Sequence, residues 1–198
     1  MRNRNSSKNY ALGVGHSGFT LVELLIVIVV IGVLSAMMML SSTEAVSSAR
    51  ASNIISNMRN IKTAVLSWYT DNLDRIKMNS SKQYQIDTDG TMQHFSNFVD
   101  DHSSEILAYL NNDSSIILRS KNSSANNTGD YTLAAVNNAK QWYICCNLGT
   151  PATSLKEKIA SRAKSLGLLG STDKLNDNAP TDDYTNHKFV CLPILTLE

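Results

Sequence analysis

Phe19 to Leu40 reads FTLVELLIVIVVIGVLSAMMML, and these 22 residues carry a single charge, Glu23. At about 1.5 Å rise per residue, a helix of this stretch spans roughly 33 Å, the hydrocarbon thickness of a bilayer. A buried core helix is the alternative reading. Ordinary core helices are amphipathic, however, and this segment is apolar on every side. The stretch therefore predicts a membrane-crossing helix. Glu23 is the exception within it. A carboxylate at the membrane centre costs on the order of 2.5–3.5 kcal/mol, and less near one end. A plain anchor has no use for such a group, so Glu23 calls for a function and a partner.

The flank before the run, MRNRNSSKNYALGVGHSG over residues 1–18, carries Arg2, Arg4 and Lys8 and no acid. Basic flanks stay cytoplasmic, which places the C-terminal part on the other side of the membrane. A secretory signal also begins basic and then turns apolar, with its cleavage site after the apolar run at small residues. Ser35-Ala36 and Ser42 would fit that pattern. The run is longer than a usual signal core, and Glu23 has no place in one.

Gly18-Phe19-Thr20-Leu21-Val22-Glu23-Leu24-Leu25, followed by Ile26 through Gly32, resembles the N-terminal processing and assembly signal of type IV pilins and type II secretion pseudopilins. The resemblance covers about 25 residues, and no family signature is visible beyond about residue 50. It implies cleavage by a membrane prepilin peptidase between Gly18 and Phe19, then methylation of the new amino terminus on Phe19. The apolar segment then serves as membrane anchor and as filament core. Glu23 matches the family's assembly glutamate, whose partner is the amino terminus of a neighbouring subunit. Physical chemistry agrees with that role, because one buried charge left without its partner costs roughly 3–5 kcal/mol. The chain departs from many relatives in one respect. They carry a Pro late in the apolar segment, where this chain has Met37-Met38-Met39-Leu40. Gly32 and Ser35 remain as the weak points of the helix.

Residues 41–75 contain no Gly or Pro. Ala51, Ile54, Met58, Ile61, Val65 and Trp68 are spaced 3, 4, 3, 4 and 3 apart, a helical stripe. Arg50, Arg59, Lys62 and Asp71 lie off it, and Ile55, Ala64 and Leu66 broaden it or lie beside it. One helix from about Phe19 to Arg75 would be roughly 85 Å long. Its first part would lie in the membrane and its second part against a small head. A dimeric coiled coil is the alternative, although fewer than three full heptads are visible.

The expected organisation is a cleaved leader (1–18), a transmembrane and filament-core helix (19–40), an amphipathic continuation (41–75) and a head (76–198). The head reads as α+β, with about four mainly antiparallel strands packed on the long helix. Tyr84–Thr88 reads as a strand ending at the Asp89-Gly90 turn. A short capped helix is expected at about 102–111. Ser115–Arg119, Tyr131–Val136 and Gln141–Cys146 read as strands, the last two as a hairpin. Lys121–Gly129 and Ser171–His187 are polar loops. A helix opens at Thr150-Pro151 and is stopped by Gly167 and Gly170. Lys188–Leu197 reads as a last strand, with Pro193 favouring an edge or a bulge.

Cys145, Cys146 and Cys191 are expected outside the cytoplasm, where disulfides persist. One bond is expected, from Cys191 to Cys145 or Cys146, closing a loop of about 45 residues worth roughly 4 kcal/mol. Pilins commonly pin their C-terminal segment in a similar way. Adjacent strand residues face opposite ways, so only one of the two can meet Cys191. Three buried free thiols are the alternative.

Other chemistry finds little support. The chain has no CxxC pair, and His94, His102 and His187 lack ligand spacing. Asp87-Thr88-Asp89-Gly90 is a fragment of a calcium loop without the rest. Asp173, Asp177, Asp182 and Asp183 could hold calcium, as a C-terminal loop does in some pseudopilins, but a solvated acidic loop is the favoured reading. GxSxG and the P-loop pattern are absent. The Gly13–Gly18 stretch follows no strand, and Trp68, Tyr69, Trp142 and Tyr143 read as packing aromatics. Charged residues make up 18% of the 198 residues and the formal net charge is +1. Loss of Arg2, Arg4 and Lys8 from 18 basic residues leaves 15 against 17 acidic ones, a net −2. That balance argues against nucleic-acid binding.

The expected function is that of a major or minor structural subunit of a type IV pilus-like filament, without cofactor or catalysis. Its partners would be the prepilin peptidase, copies of itself, other pilin-like subunits and an inner-membrane assembly platform. It would cross the inner membrane once, with its head periplasmic, and then enter a filament, at the cell surface in one variant. A type II secretion pseudopilin is the alternative. A membrane-tethered binding protein or enzyme that never assembles is a third reading, and it leaves Gly18-Phe19 and Glu23 unexplained.

Overall fold

The computed structural model describes residues 18–88, 90–94, 103–111, 113–120, 127–150, 153–171, 179–180, 183–185 and 187–197. The basic leader residues, Asp89, His102, the 121–126 loop, Pro151 and Asp173, Asp177 and Asp182 lie outside them. The chain divides into two compact units, residues 1–42 and 43–198.

In the first unit the described residues are helical from Leu21 onward, the start of α1 (Leu21–Asp71). No residue of its most apolar 18-residue window is buried. Leu24, Ile28 and Leu34 are each more than half exposed, which is the surface expected of a helix whose solvent is lipid.

In the second unit, α1 turns one face inward. Ser47, Ala51, Ile55, Met58, Ile61, Val65, Trp68 and Asn72 are buried. The stripe is the one the spacing predicts, except that Ile55 is buried where Ile54 is only half-buried. The helix stops at Asp71, short of Arg75. Asn72 folds back on the helix end: its amide bonds the Trp68 carbonyl at 3.2 Å, and its Nδ2 donates to the same oxygen at 2.8 Å. Arg75 then ties the exit down, donating to Asn72 Oδ1 and to the Asp87 carbonyl.

Among the described residues there are eight strands in two sheets, twice the number expected. β1 (Ile76–Met78), β2 (Tyr84–Thr88) and β3 (Thr91–His94) form an antiparallel meander. Only β2 is legible in the sequence, because β1 and β3 are short and largely exposed. After α2 (Ser103–Ala108) comes a five-stranded sheet of order β4-β5-β6-β8-β7. It comprises β4 (Leu118–Ser120), β5 (Tyr131–Val136), β6 (Gln141–Asn147), β7 (Leu169–Ser171) and β8 (Phe189–Thr196), with α3 (Thr153–Leu166) between β6 and β7. β4 pairs parallel with β5, and every other pair is antiparallel. The expected 115–119 strand thus begins only at Leu118.

β5 and almost all of β6 are buried on both faces. Leu133, Ala135, Trp142, Ile144 and Cys146 face a core shared with α1 and α3. Ala134, Val136, Tyr143, Cys145, Phe189 and Cys191 form a second core, covered by Leu169 and Ala179. Strands buried on both sides read as continuous apolar runs, which is why this hairpin is legible in the sequence. Its turn places Asn137, Asn138 and Ala139 in the left-handed region, and Trp142 Nε1 clamps the Ala139 carbonyl at 2.7 Å.

Gly167 has φ +65° and ends α3, with the Leu168 amide bonded to the Ala163 carbonyl at 2.9 Å. That is the Schellman pattern, which asks for glycine. Gly170 has a different task from the expected helix stop. It lies in β7, and a side chain there would overlap the His187 ring. Pro193 sits at an irregularity. Trp142 pairs with Leu195 but Tyr143 with Pro193, which leaves Ile194 as the extra residue of a bulge. β7 meets β8 only at Phe189–Cys191, so among the described residues no strand pairs with Pro193 on the edge away from β6.

Candidate functional site

The charged position in the apolar helix is built by Glu23 of its first turn and by Thr20, the residue just before the helix. Gly18, Phe19 and Thr20 precede the helix, and Phe19 is 88% exposed. Thr20 is the N-cap. Its Oγ1 accepts from the Glu23 amide at 3.2 Å. Glu23 Oε2 in turn accepts from the Thr20 amide at 2.8 Å and from the Thr20 hydroxyl at 3.0 Å. The Leu24 amide bonds the Thr20 carbonyl at 3.2 Å, the first helical bond. This reciprocal arrangement is a capping box, and it satisfies two amides that a helix N-terminus leaves without partners. A carboxylate in the first turn also meets the positive end of the helix dipole.

Glu23 therefore has a local partner, Thr20, that the residue-by-residue reading missed. The signal was present: Thr-x-x-Glu before an apolar run is the sequence form of a capping box. Its helix-capping meaning was hidden behind the unusual position of the charge. The carboxylate is held one turn from the start of the chain's apolar segment, close to Gly18-Phe19 in sequence. It keeps one oxygen, Oε1, outside the capping box.

In the head, Cys145 is bonded to Cys191 at a Cα–Cα distance of 4.0 Å. The two residues are register partners across β6 and β8, at the close spacing of a non-hydrogen-bonded pair. Cys146 is a buried free thiol on the opposite face. Burial pushes it up to about 12, with the nearby Asp130 carboxylate adding to the shift. A thiol so protonated at neutral pH is inert as a nucleophile.

No group of three or more His, Cys, Asp or Glu side chains suited to a metal occurs among the described residues. His94 ends β3, while His187 packs on Gly170 and Tyr184. Asp183 forms a backbone bridge with Leu169. A cleft of about 350 Å³ is lined by Arg50, Asn53, Asn57, Tyr131 and Asn147 among others, with no His, Cys or carboxylate among its described lining residues. Its described lining offers hydrogen bonds and one cation, Arg50.

Residues 15–39 match the family model described as the prokaryotic N-terminal methylation motif. The chain thus carries the prepilin-type signal shared by type IV pilins and pseudopilins, on an α+β fold that begins with a long helix. The motif supports a type IV pilin-like or pseudopilin-type protein, a family of structural subunits. Such a signal implies processing by a peptidase and assembly with pilin-like subunits, and with the exposed apolar helix it fits membrane anchoring. No curated protein and no solved structure matches the chain.

Proposed function

We propose that this protein is a structural subunit of a type IV pilus-like filament. Residues 1–18 are its leader, removed between Gly18 and Phe19, and Phe19 then carries the methylated amino terminus. Residues 19–40 cross the inner membrane before assembly and line the filament core afterwards. Residues 41–75 continue the helix into the head, which forms the extracytoplasmic surface. The protein performs no catalysis and uses no cofactor. Its assembly platform lies in the inner membrane.

One observation carries this reading. The apolar stretch 19–40 opens a helix with no buried residue in its most hydrophobic window, coincides with the methylation motif and holds its single charge, Glu23, in the first turn. Lipid and a filament core are the two environments that such a surface suits. In the filament, Glu23 is the group that meets the amino terminus of a neighbouring subunit. The same signal serves type II secretion pseudopilins, which assemble in the envelope.

The test is mass spectrometry, under non-reducing conditions, of filaments sheared from the cell surface. The expected result is a dominant chain that begins at methylated Phe19. A processed chain that stays with the envelope and is scarce in the filaments would move the assignment to a minor subunit or a pseudopilin. An intact leader would overturn the reading.

A further inference from the structure

The head contains three cysteines and one bond, and two of the three are neighbours in sequence. Cys145 and Cys191 are 46 residues apart, so Cys146 closes a loop only one residue shorter. Closure entropy varies with the logarithm of loop length, so the unfolded chain does not distinguish the two partners. The folded sheet distinguishes them completely. Cys145 and Cys191 stand opposite each other on the outer face, with Tyr143 and Phe189. Cys146 stands opposite Val190 on the inner face, against the core of Ile144 and Trp142. Joining Cys146 to Cys191 would require β6 to slip by one residue against β8. A slip of one residue sends every side chain of a strand to the other face. It would turn Trp142 and Ile144, both fully buried, out of the core.

We propose that Cys191 is first captured by either neighbour, and that β6–β8 pairing then transfers the bond from Cys146 to Cys145 by intramolecular exchange. A disulfide-donating oxidant supplies the first bond. In the correction step the Cys145 thiolate attacks the Cys191 sulfur. The Cys145–Cys191 bond forms, the Cys146–Cys191 bond breaks, and the electron pair leaves on Cys146, which takes a proton from solvent. The exchange is redox-neutral and needs no external thiol. Strand pairing then carries Cys146 into the inner core, where burial keeps it protonated and removes the nucleophile for the reverse step. Cys146 thus acts as a leaving group during folding and as a core side chain afterwards.

The experiment uses the full chain. It is reduced and unfolded, transferred into detergent micelles with a glutathione couple, and stopped with acid at intervals. Bridged peptides are then identified by mass spectrometry. Near-equal loops predict early Cys146–Cys191 and Cys145–Cys191 populations within about threefold of each other. The acid-trapped Cys146–Cys191 species, freed of glutathione and returned to neutral pH, should convert to Cys145–Cys191 at a rate independent of protein concentration. Absence of the Cys146–Cys191 species at all times would overturn the proposal, since register would then precede oxidation. Conversion only on addition of external thiol would overturn it as well. Two variants give a second readout. Cys146→Ala should form the native bond in one phase with no misbridged species. Cys145→Ala should leave a Cys146–Cys191 chain without the native near-ultraviolet circular dichroism, and a native spectrum from it would refute the register argument.

Discussion

Glu23 answers to two demands at the level of single atoms. Its Oε2 closes the capping box with Thr20, and its charge sits in a segment that otherwise has none. Substitution separates the two. Glutamine keeps the capping acceptor and loses the charge, whereas alanine loses both. If charge pairing with a neighbouring amino terminus drives assembly, Glu23→Gln and Glu23→Ala should both insert normally in the membrane and both lose most filament yield. Normal yield from the glutamine variant would mean that the cap, rather than the charge, matters. Lys62 is a second residue whose role rests on one bond. It lies off the apolar stripe, yet Nζ reaches the Pro193 carbonyl at 2.8 Å, where the bulge has disturbed the ladder. Lys62→Met should leave that carbonyl short of a partner and cost about 1–3 kcal/mol in urea denaturation. Nothing in the sequence pairs Lys62 with Pro193, 131 residues away.

At the level of elements, α1 shows how much a repeat of three and four residues conveys. The stripe from Ala51 to Trp68 is the buried face, and the chain's own sheet covers it. Trp68 is 2% exposed and its ring centre lies 6.3 Å from that of Trp142. Trp68→Ala should therefore cost about 3–5 kcal/mol. Leu66 points away from this face, and Leu66→Ala should change stability by less than about 1 kcal/mol. Far-ultraviolet circular dichroism during chemical denaturation measures both without relying on tryptophan fluorescence. Equal losses from the two variants would contradict the orientation of the helix. The hairpin of β5 and β6 and the end of α3 were as legible as the stripe, because continuous apolar runs and a glycine stop are local signals. β1, β3 and β7 were not. Each has three or four residues, and their hydrogen bonds come from partners rather than from any pattern of their own.

Over the whole head, one covalent bond and a set of buried acids set the response to conditions. The disulfide closes a loop of 46 residues, worth roughly 4 kcal/mol in the chain-entropy model. Reduction, or Cys191→Ser, should lower the thermal midpoint of the head by several degrees, while Cys146→Ala should leave the bond in place. Cys146 and Tyr184 are both raised by burial to about 12, from 9.0 and 10.0. Both stay protonated in the folded head after the unfolded chain has begun to lose its protons. Stability contributed by these groups is full below pH 9 and is lost as pH rises towards 12. Each group accounts for at most about 1.4 kcal/mol per pH unit. Urea midpoints should be flat from pH 7 to 8.5 and fall above pH 9, with a shallower fall in Cys146→Ala. A midpoint that rises over that range would contradict the burial of these groups.

Local chemistry was enough to determine the apolar N-terminal helix, its charge, the buried stripe of α1, the central hairpin and the glycine stop. All of these follow from composition or from periodicity within one segment, which the chain carries wherever it folds. The tertiary structure decided what depends on residues far apart. It set the strand order β4-β5-β6-β8-β7, the parallel edge and the two-sided burial of the sheet. It also chose Cys145 over Cys146 for Cys191. Two adjacent cysteines are alike to an unfolded chain. They become different only when strand pairing assigns each residue a face, and pairing depends on the whole sheet being packed.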